Sequence, residues 1–423
     1  MRHVILGNGP AGVIAAEVIR KHAPGDDIVL VGDEPVPPYS RMAIPYLLIG
    51  KIDERGTYLR KDADHFDRLN VRMLLGRARA VSAKAHTVTL EDGHVLGFNR
   101  LLVATGSRPV KPPIPGIDLP GVLNCWTLDD ARKIMERARP GARVLQMGAG
   151  FIGCIIMEAL ASRGVELSIV EMGDRMVPRM MSLGAGSMIK RWVERKGLTV
   201  YTSTRVEAIT PGSGRPLEVR LSSGHRLPVD LVISATGVVP NVAFLEGSGV
   251  DRRRGVVTNS RMQSFAPDVY AAGDCAEAYD PITEKWLVSA IQPNAADQAA
   301  CAAQNMVGRE THLKAVTYIN VLDTMGLISC SFGQWYGVPG GDHVELLDED
   351  EFRYLRLEFK GDVLVGANGL GLTEHVGVLR GLVEGQVRLG EWKDRLMRDP
   401  MRLPEAYLAC AQGQERWLGR TAA

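Results

Sequence analysis

Cysteine is scarce in this chain, and what there is stands unpaired. The six cysteines, Cys125, Cys154, Cys275, Cys301, Cys330 and Cys410, are scattered through 423 residues. None forms C-x-x-C and none has the paired spacing of a zinc site, so a disulfide scaffold is excluded and no metal site is expected. Charge of one sign is missing too: 50 Lys and Arg meet 49 Asp and Glu, a formal net charge of +1. That balance gives no global pull toward nucleic acid or an anionic membrane. The local run Arg252-Arg253-Arg254 reads as a solvated loop. No apolar run approaches the roughly 20 residues of a membrane span. The first strand begins almost at residue 1 and leaves no room for a signal peptide, so a cytoplasmic protein is expected.

What remains is ordinary globular composition, 45% hydrophobic and 23% charged, over a length that predicts two or three domains. The stretch His3 to Gly12 organises the first of them. An apolar run, Val4 to Leu6, breaks into Gly7-x-Gly9-x-x-Gly12 with Pro10 and Ala11 between, and Val13 to Ile19 reads as a helix. Gly7 allows the tight strand-to-helix turn, Gly9 lets a pyrophosphate approach the backbone, and Gly12 lets the helix pack on the strand. The helix N-terminus offers unpaired N–H groups to the phosphates. The next strand, Ile28 to Val31, ends near Asp33 and Glu34, about where the dinucleotide fingerprint places its ribose acid. Alone, the motif could hold NAD or FAD, or the glycines could merely permit a turn.

The chain continues through a stiff loop, Pro35 to Arg41, in which Arg41 is a candidate bidentate phosphate ligand. An apolar stretch from Met42 to Ile49 follows. Short alternating runs then appear, and Glu91-Asp92-Gly93 reads as a hairpin turn. A buried strand ends at Ala104-Thr105-Gly106. The Pro-rich segment Lys111 to Pro120 has the composition of a crossing between domains.

The opening pattern then returns. Arg143 to Met147 leads into Gly148-x-Gly150-x-x-Gly153, with Phe151 and Ile152 between the last two glycines. The strand Leu167 to Val170 ends in Glu171, 18 positions after Gly153. A carboxylate there accepts both ribose hydroxyls but repels a 2′-phosphate, which favours NADH over NADPH, although Arg175 lies nearby. A second β-rich passage ends in Ala235-Thr236-Gly237. Two fingerprints, each followed by a β-rich excursion and an Ala-Thr-Gly strand end, amount to a repeat at domain scale, one nucleotide-binding fold inserted in another. The first resumes near Asn241. Its strand ending in Gly273-Asp274 puts a carboxylate at the ligand-facing edge of a parallel sheet, and a helical run from Asn294 to Met306 follows. Beyond Ala315 come β-type runs and two closing helical segments.

These motifs, taken in order, resemble the FAD-dependent pyridine nucleotide–disulfide oxidoreductase superfamily. The loop Pro38-Tyr39-Ser40-Arg41 is similar to the branch with NADH oxidases, rubredoxin and ferredoxin reductases and the flavin module of nitrite reductases. The resemblance implies an α/β fold with two Rossmann-like three-layer domains, the second inserted in the first, and a C-terminal α+β domain. It implies an FAD domain of residues 1–112 and 241–314, an NAD(P)H domain of 113–240, and an interface domain of 315–423 through which such proteins dimerise. FAD would be held by Gly7, Gly9, Pro10, Ala11, Gly12, Asp33 or Glu34, Arg41, Ala104, Thr105, Gly106, Gly273 and Asp274. NADH, with NADPH the less favoured, would be held by Gly148, Gly150, Phe151, Ile152, Gly153, Glu171 and Gly237.

Two departures from the family pattern narrow the chemistry. The redox cysteine of the disulfide reductases corresponds to Met42, and a thioether cannot form a thiolate or attack a disulfide. Where many relatives carry Glu after the last glycine of the NAD motif, this chain has Ile155, with Glu158 further on. No catalytic side chain is required, because hydride passes between cofactors and the protein sets distance and orientation. The expected acceptor is a small protein electron carrier, iron–sulfur or rubredoxin-like. The alternatives are a bare-flavin NADH oxidase or quinone reductase, an FAD-binding subunit of a larger redox complex, and thiol chemistry through Cys275 or Cys330.

Overall fold

The computed structural model describes residues 1–280, 283–313 and 319–410. The chain forms two compact units. The first comprises Met1–Val110, Trp126–Leu128 and Val238–Val316; the second comprises Lys111–Cys125, Asp129–Gly237 and Thr317–Ala423.

The first unit is built on a five-stranded parallel sheet in the order Val269–Ala271, Arg100–Val103, Arg2–Leu6, Asp27–Gly32, Val71–Leu75. Val4 lies between Leu101 and Val29 in register. Strands covered on both faces read as continuous apolar runs rather than alternating ones, and Val4, Ile5, Val29, Leu30, Leu101 and Leu102 are all fully buried. The central position of the first strand thus follows from its sequence. Helix Pro10–His22 packs against helix Gln292–Met306, and both contribute to the core of this sheet. An antiparallel excursion, Ala78–Ser82, Thr87–Leu90 and Val95–Gly97, follows the last strand, with its turn at Glu91-Asp92-Gly93.

The second unit repeats the plan. Its parallel sheet runs Thr199–Tyr201, Glu166–Val170, Arg143–Met147, Leu231–Ser234, Val122–Asn124, and its own antiparallel excursion is Val206–Pro211, Leu217–Leu221 and Arg226–Val229. The same unit carries a five-stranded antiparallel sheet in the order Ile319–Thr324, Leu327–Gly333, Val363–Leu370, Arg353–Lys360, Asp342–Asp348. Phe332, Leu357, Phe359 and Leu364 form its core with Leu379, Leu382, Leu396 and Leu403 from the helices that follow. Asn368, fully buried on this sheet, accepts the Ser182 N–H at 2.8 Å and donates to the Met180 carbonyl at 2.9 Å.

Three features depart from the sequence reading. Among the described residues three helices follow the last sheet rather than two: Val376–Glu384, Glu391–Arg398 and Leu403–Cys410. The strand Asp342–Asp348 has too many charges to read as β, because it is a half-exposed edge. Helices Leu128–Arg137 and Leu183–Arg195 lie in stretches that carry no motif. Tyr318, expected to begin a strand, lies outside the described residues, and the strand there is Ile319–Thr324.

Candidate nucleotide sites

The two glycine turns are built the same way. Gly7 N–H donates to Val31 O at 2.7 Å and Gly148 N–H to Val170 O at 2.8 Å. Their φ angles are +109° and +98°, left-handed conformations that any side chain would strain. A Cβ on Gly7 would stand 2.1 Å from Ala104 O, and one on Gly148 would stand 2.4 Å from Ala235 O. The Ala104-Thr105-Gly106 and Ala235-Thr236-Gly237 strand ends are therefore the surfaces against which the turns close. A Cβ on Gly12 would meet Gly7 O at 1.8 Å, and one on Gly153 would meet Gly148 O at 2.5 Å.

The middle glycines differ in kind. No protein atom lies within 4 Å of a Cβ on Gly9 or on Gly150. Both have ordinary extended backbone, with φ −72° and −76°, and each caps its helix without a side-chain acceptor. The first intrahelical bonds come from Val13 to Gly9 O and from Cys154 to Gly150 O. The N–H groups of Ala11 and Gly12, and of Phe151, Ile152 and Gly153, precede those bonds and suit an anion; Pro10 has none to offer. These open cradles fit a pyrophosphate at each helix start.

Around the first turn lies a cavity of about 400 Å³, lined by Gly7, Asp33, Arg77, Arg79, Thr105, Asn241 and Phe244 among others. Asp33 is half exposed on its wall, with Arg77 4.0 Å away. Glu34 is engaged elsewhere: its carboxylate accepts Arg41 Nη2 at 2.8 Å and Tyr39 OH at 2.8 Å. Arg41 also donates to Tyr39 OH at 3.0 Å and to the Trp126 carbonyl at 2.6 Å. Thr105 is fixed by Asn241, with Oγ1 donating to Asn241 O at 2.6 Å and Asn241 Nδ2 returning a bond of 3.1 Å to Thr105 O. Gly273, at φ +81°, donates its N–H to Gln298 Oε1 at 2.8 Å. Asp274 Oδ2 accepts Ser107 Oγ at 2.7 Å, while burial pushes the carboxyl above its usual range.

At the second turn, Glu171 folds back onto the glycine loop. Its Oε2 accepts the Ala149 N–H and its Oε1 the Gly173 N–H, each at 2.7 Å. Arg175 is committed to the carbonyls of Met181 at 2.9 Å and Pro178 at 3.3 Å and to Asp174 at 2.7 Å. Sequence reasoning missed Gln146, two residues before Gly148 and fully buried. Its Nε2 donates to both Gly148 O and Gly153 O at 2.9 Å, clamping the loop across its mouth. The corresponding place in the first turn is the apolar Ile5, so an amide inside an otherwise apolar strand was the available signal. Ile155 is half-buried, and Glu158 accepts the Met325 N–H at 3.2 Å.

Thiol chemistry has no foothold near either turn. Met42 is half exposed on a 3-10 turn, Arg41–Ala43. Cys125, Cys154, Cys275, Cys301 and Cys330 are buried thiols, and Cys410 is half-buried. Burial pushes Cys125, Cys154 and Cys330 up to about 12 and Cys301 to about 11, and raises Cys275 and Cys410 as well, away from the reactive thiolate. Among the described residues no cluster of His, Cys, Asp and Glu could hold a metal ion, and no helix is long and apolar enough to cross a membrane.

Two parallel-sheet folds, each with a complete dinucleotide turn and the second inserted in the first, define a two-dinucleotide oxidoreductase. Residues 1–304 match the profile of the Pyridine nucleotide-disulphide oxidoreductase family, and the chain belongs to it. It is an NAD(P)H-dependent flavin oxidoreductase, of a family that binds FAD and NAD(P)H. It is 31% identical over 405 residues, 95% of each chain, to the NADH-dependent phenylglyoxylate dehydrogenase subunit epsilon of Aromatoleum evansii. It is 31% identical over 321 residues, 75% of each chain, to rhodocoxin reductase of Rhodococcus erythropolis. The fold matches the crystal structure of the covalent putidaredoxin reductase–putidaredoxin complex with a TM-score of 0.87 at 23% identity, covering 98% of this chain and 99% of that one.

Proposed function

We propose that the first unit holds FAD, the second holds NADH, and electrons leave the flavin for a protein acceptor without an intervening thiol. The observation that carries this reading is the pair of open middle glycines, Gly9 and Gly150, at otherwise closed turns. FAD would lie along Gly7 to Gly12, with Asp33 on the adenosine ribose, Thr105 and Gly106 beside it, and Gly273 and Asp274 toward the ribityl chain. Glu34 and Arg41 would shape that site from their mutual ion pair. Bound there, FAD supplies a centre that accepts two electrons as hydride and can release them singly.

NADH is favoured over NADPH because a carboxylate, Glu171, stands at the ribose position and Arg175 is turned inward to carbonyls. A 2′-phosphate there meets a negative charge and no available guanidinium from Arg175. Anaerobic mixing of the FAD-loaded protein with NADH and, separately, NADPH tests both statements. The visible flavin band bleaches with NADH and more slowly with NADPH; absence of bleaching with either defeats the reading.

The acceptor of first choice is a small diffusing iron–sulfur or rubredoxin-like protein, as the similarity to rhodocoxin reductase supports. A second reading has its own support: end-to-end similarity to a protein named as a subunit of an NADH-dependent dehydrogenase. In that reading the acceptor is a fixed partner subunit of a larger complex. Co-purification of stoichiometric partners from the native source favours the fixed subunit, whereas rapid turnover with an added small carrier favours the diffusing one. The antiparallel sheet of the second unit is the proposed surface for homodimerisation, which sedimentation velocity reads directly.

A further inference from the structure

A line of hydrogen bonds in the first unit joins Asp274 to Glu34 through residues outside every glycine motif. Ser107 Oγ donates to Asp274 Oδ2 at 2.7 Å, and Trp126 Nε1 donates to the Ser107 carbonyl at 3.1 Å. The Trp126 carbonyl accepts Arg41 Nη1 at 2.6 Å, and the Arg41 guanidinium carbon lies 5.3 Å from the Trp126 ring centroid. Arg41 then continues to Tyr39 and Glu34. The chain leaves this unit after Val110 and rejoins it only for Trp126–Leu128 before returning to the second unit. Trp126 is thus held in the first unit by both its backbone and its ring.

We infer that Ser107, Trp126 and Arg41 are positioning residues that orient the Asp274 carboxylate toward the flavin group and favour its charged form. This rests on the reading that the first unit binds FAD. Burial by itself drives a carboxyl toward its neutral form, and three groups oppose it here: the Ser107 hydroxyl, the positive charge of Arg41 and the backbone N–H of Asp274 itself. The hydroxyl donates to Oδ2 and fixes the plane of the carboxylate. A serine hydroxyl orients an acceptor only as well as its own peptide is fixed, and the Trp126 indole N–H fixes that peptide. Arg41 is the charged side chain that bears on Asp274, and Glu34 holds Arg41 in place. Arg41, anchored by its ion pair with Glu34, therefore supports the charged form of a carboxylate at the other end of the line.

The test follows the visible flavin absorption of the FAD-loaded protein as pH is varied. Ser107→Ala removes a hydrogen bond to the charged form, so the acid limb of the titration moves up by about one pH unit. Ser107→Thr keeps a hydroxyl and restores the original limb. Trp126→Phe keeps the ring and the carbonyl but loses the indole donor, so it moves the limb in the same direction by less. Its apoprotein melts as the parent does. A purely structural role would change melting and leave the limb where it was, and that result in Ser107→Ala overturns the inference. An unmoved limb in Trp126→Phe removes Trp126 from it. Failure of the parent protein to take up FAD is a separate outcome, read before any titration, and sinks the FAD reading itself.

Discussion

At the scale of single residues, the two acids behind the turns have opposite fates. Asp33 is open to a cavity, whereas Glu34 is consumed by Arg41 and Tyr39. Glu171 combines both roles, because each of its oxygens accepts one main-chain N–H and keeps further lone-pair capacity. Glu171→Gln presents an amide donor to one of those N–H groups and loses the charge. We expect the KM for NADH to rise by about tenfold or more, the scale of one charge-assisted hydrogen bond, and the preference over NADPH to shrink. Steady-state rates with both nucleotides and an artificial electron acceptor measure it; an unchanged NADH-to-NADPH ratio removes Glu171 from specificity. The thiols are the converse case. Cys275 Sγ is fully buried against the carbonyls of Val103 at 3.2 Å and Ala272 at 3.3 Å, and Cys330 is also fully buried. A Cys275→Ser/Cys330→Ser double variant loses about 1–3 kcal/mol of stability by burying hydroxyls, yet its turnover per bound flavin stays that of the parent. A loss of turnover without loss of flavin would restore the thiol mechanism.

At the scale of elements, the strand–turn–helix unit separates what folding needs from what binding needs. Gly12→Ala forces a Cβ onto the Gly7 carbonyl, and Gly153→Ala does the same at Gly148. Steric overlap with backbone has no flexible neighbour to absorb it, so each costs about 3 kcal/mol or more. Gly9→Ala and Gly150→Ala meet nothing and need no unusual φ, so the apoprotein should melt within about 0.5 kcal/mol of the parent. Gly9→Ala should nevertheless weaken FAD binding, and Gly150→Ala should weaken NADH binding, by at least about tenfold, because the methyl occupies the phosphate approach. Equilibrium binding beside apoprotein melting reads both; parallel losses in all four variants would contradict this division. The glycine turns were legible because the constraint is local: a backbone approach leaves a gap of one Cβ that only glycine fills. Gln146 was not, since an amide in an apolar strand signals a buried hydrogen bond but not that the bond bridges Gly148 and Gly153. The contact of Arg41 with Trp126 was hidden for a related reason, as residues 85 positions apart meet only through tertiary packing. The edge strand Asp342–Asp348 escaped because its exposed positions carry charge, which guards an edge but erases the β pattern.

At the scale of the whole molecule, electron capacity is the quantity on which the thiol-free reading turns. A disulfide reductase stores two electrons in its flavin and two more in a dithiol, so it takes up two equivalents of NADH. The family resemblance places Met42 at the position of the redox cysteine, and the five buried cysteines are single thiols whose pKa burial raises. Cys410, half-buried, has no disulfide partner either. Anaerobic titration of the FAD-loaded protein should therefore reach its endpoint at about one NADH per flavin, with no further uptake and no new thiols exposed to an alkylating reagent. An endpoint near two equivalents would require a second two-electron store and would overturn the thiol-free reading. With an endpoint at one, everything that NADH delivers must pass from the flavin to a group outside the described chain. A one-electron protein acceptor then has to collect twice for each NADH consumed, and two reduced carriers per NADH is the stoichiometry to measure.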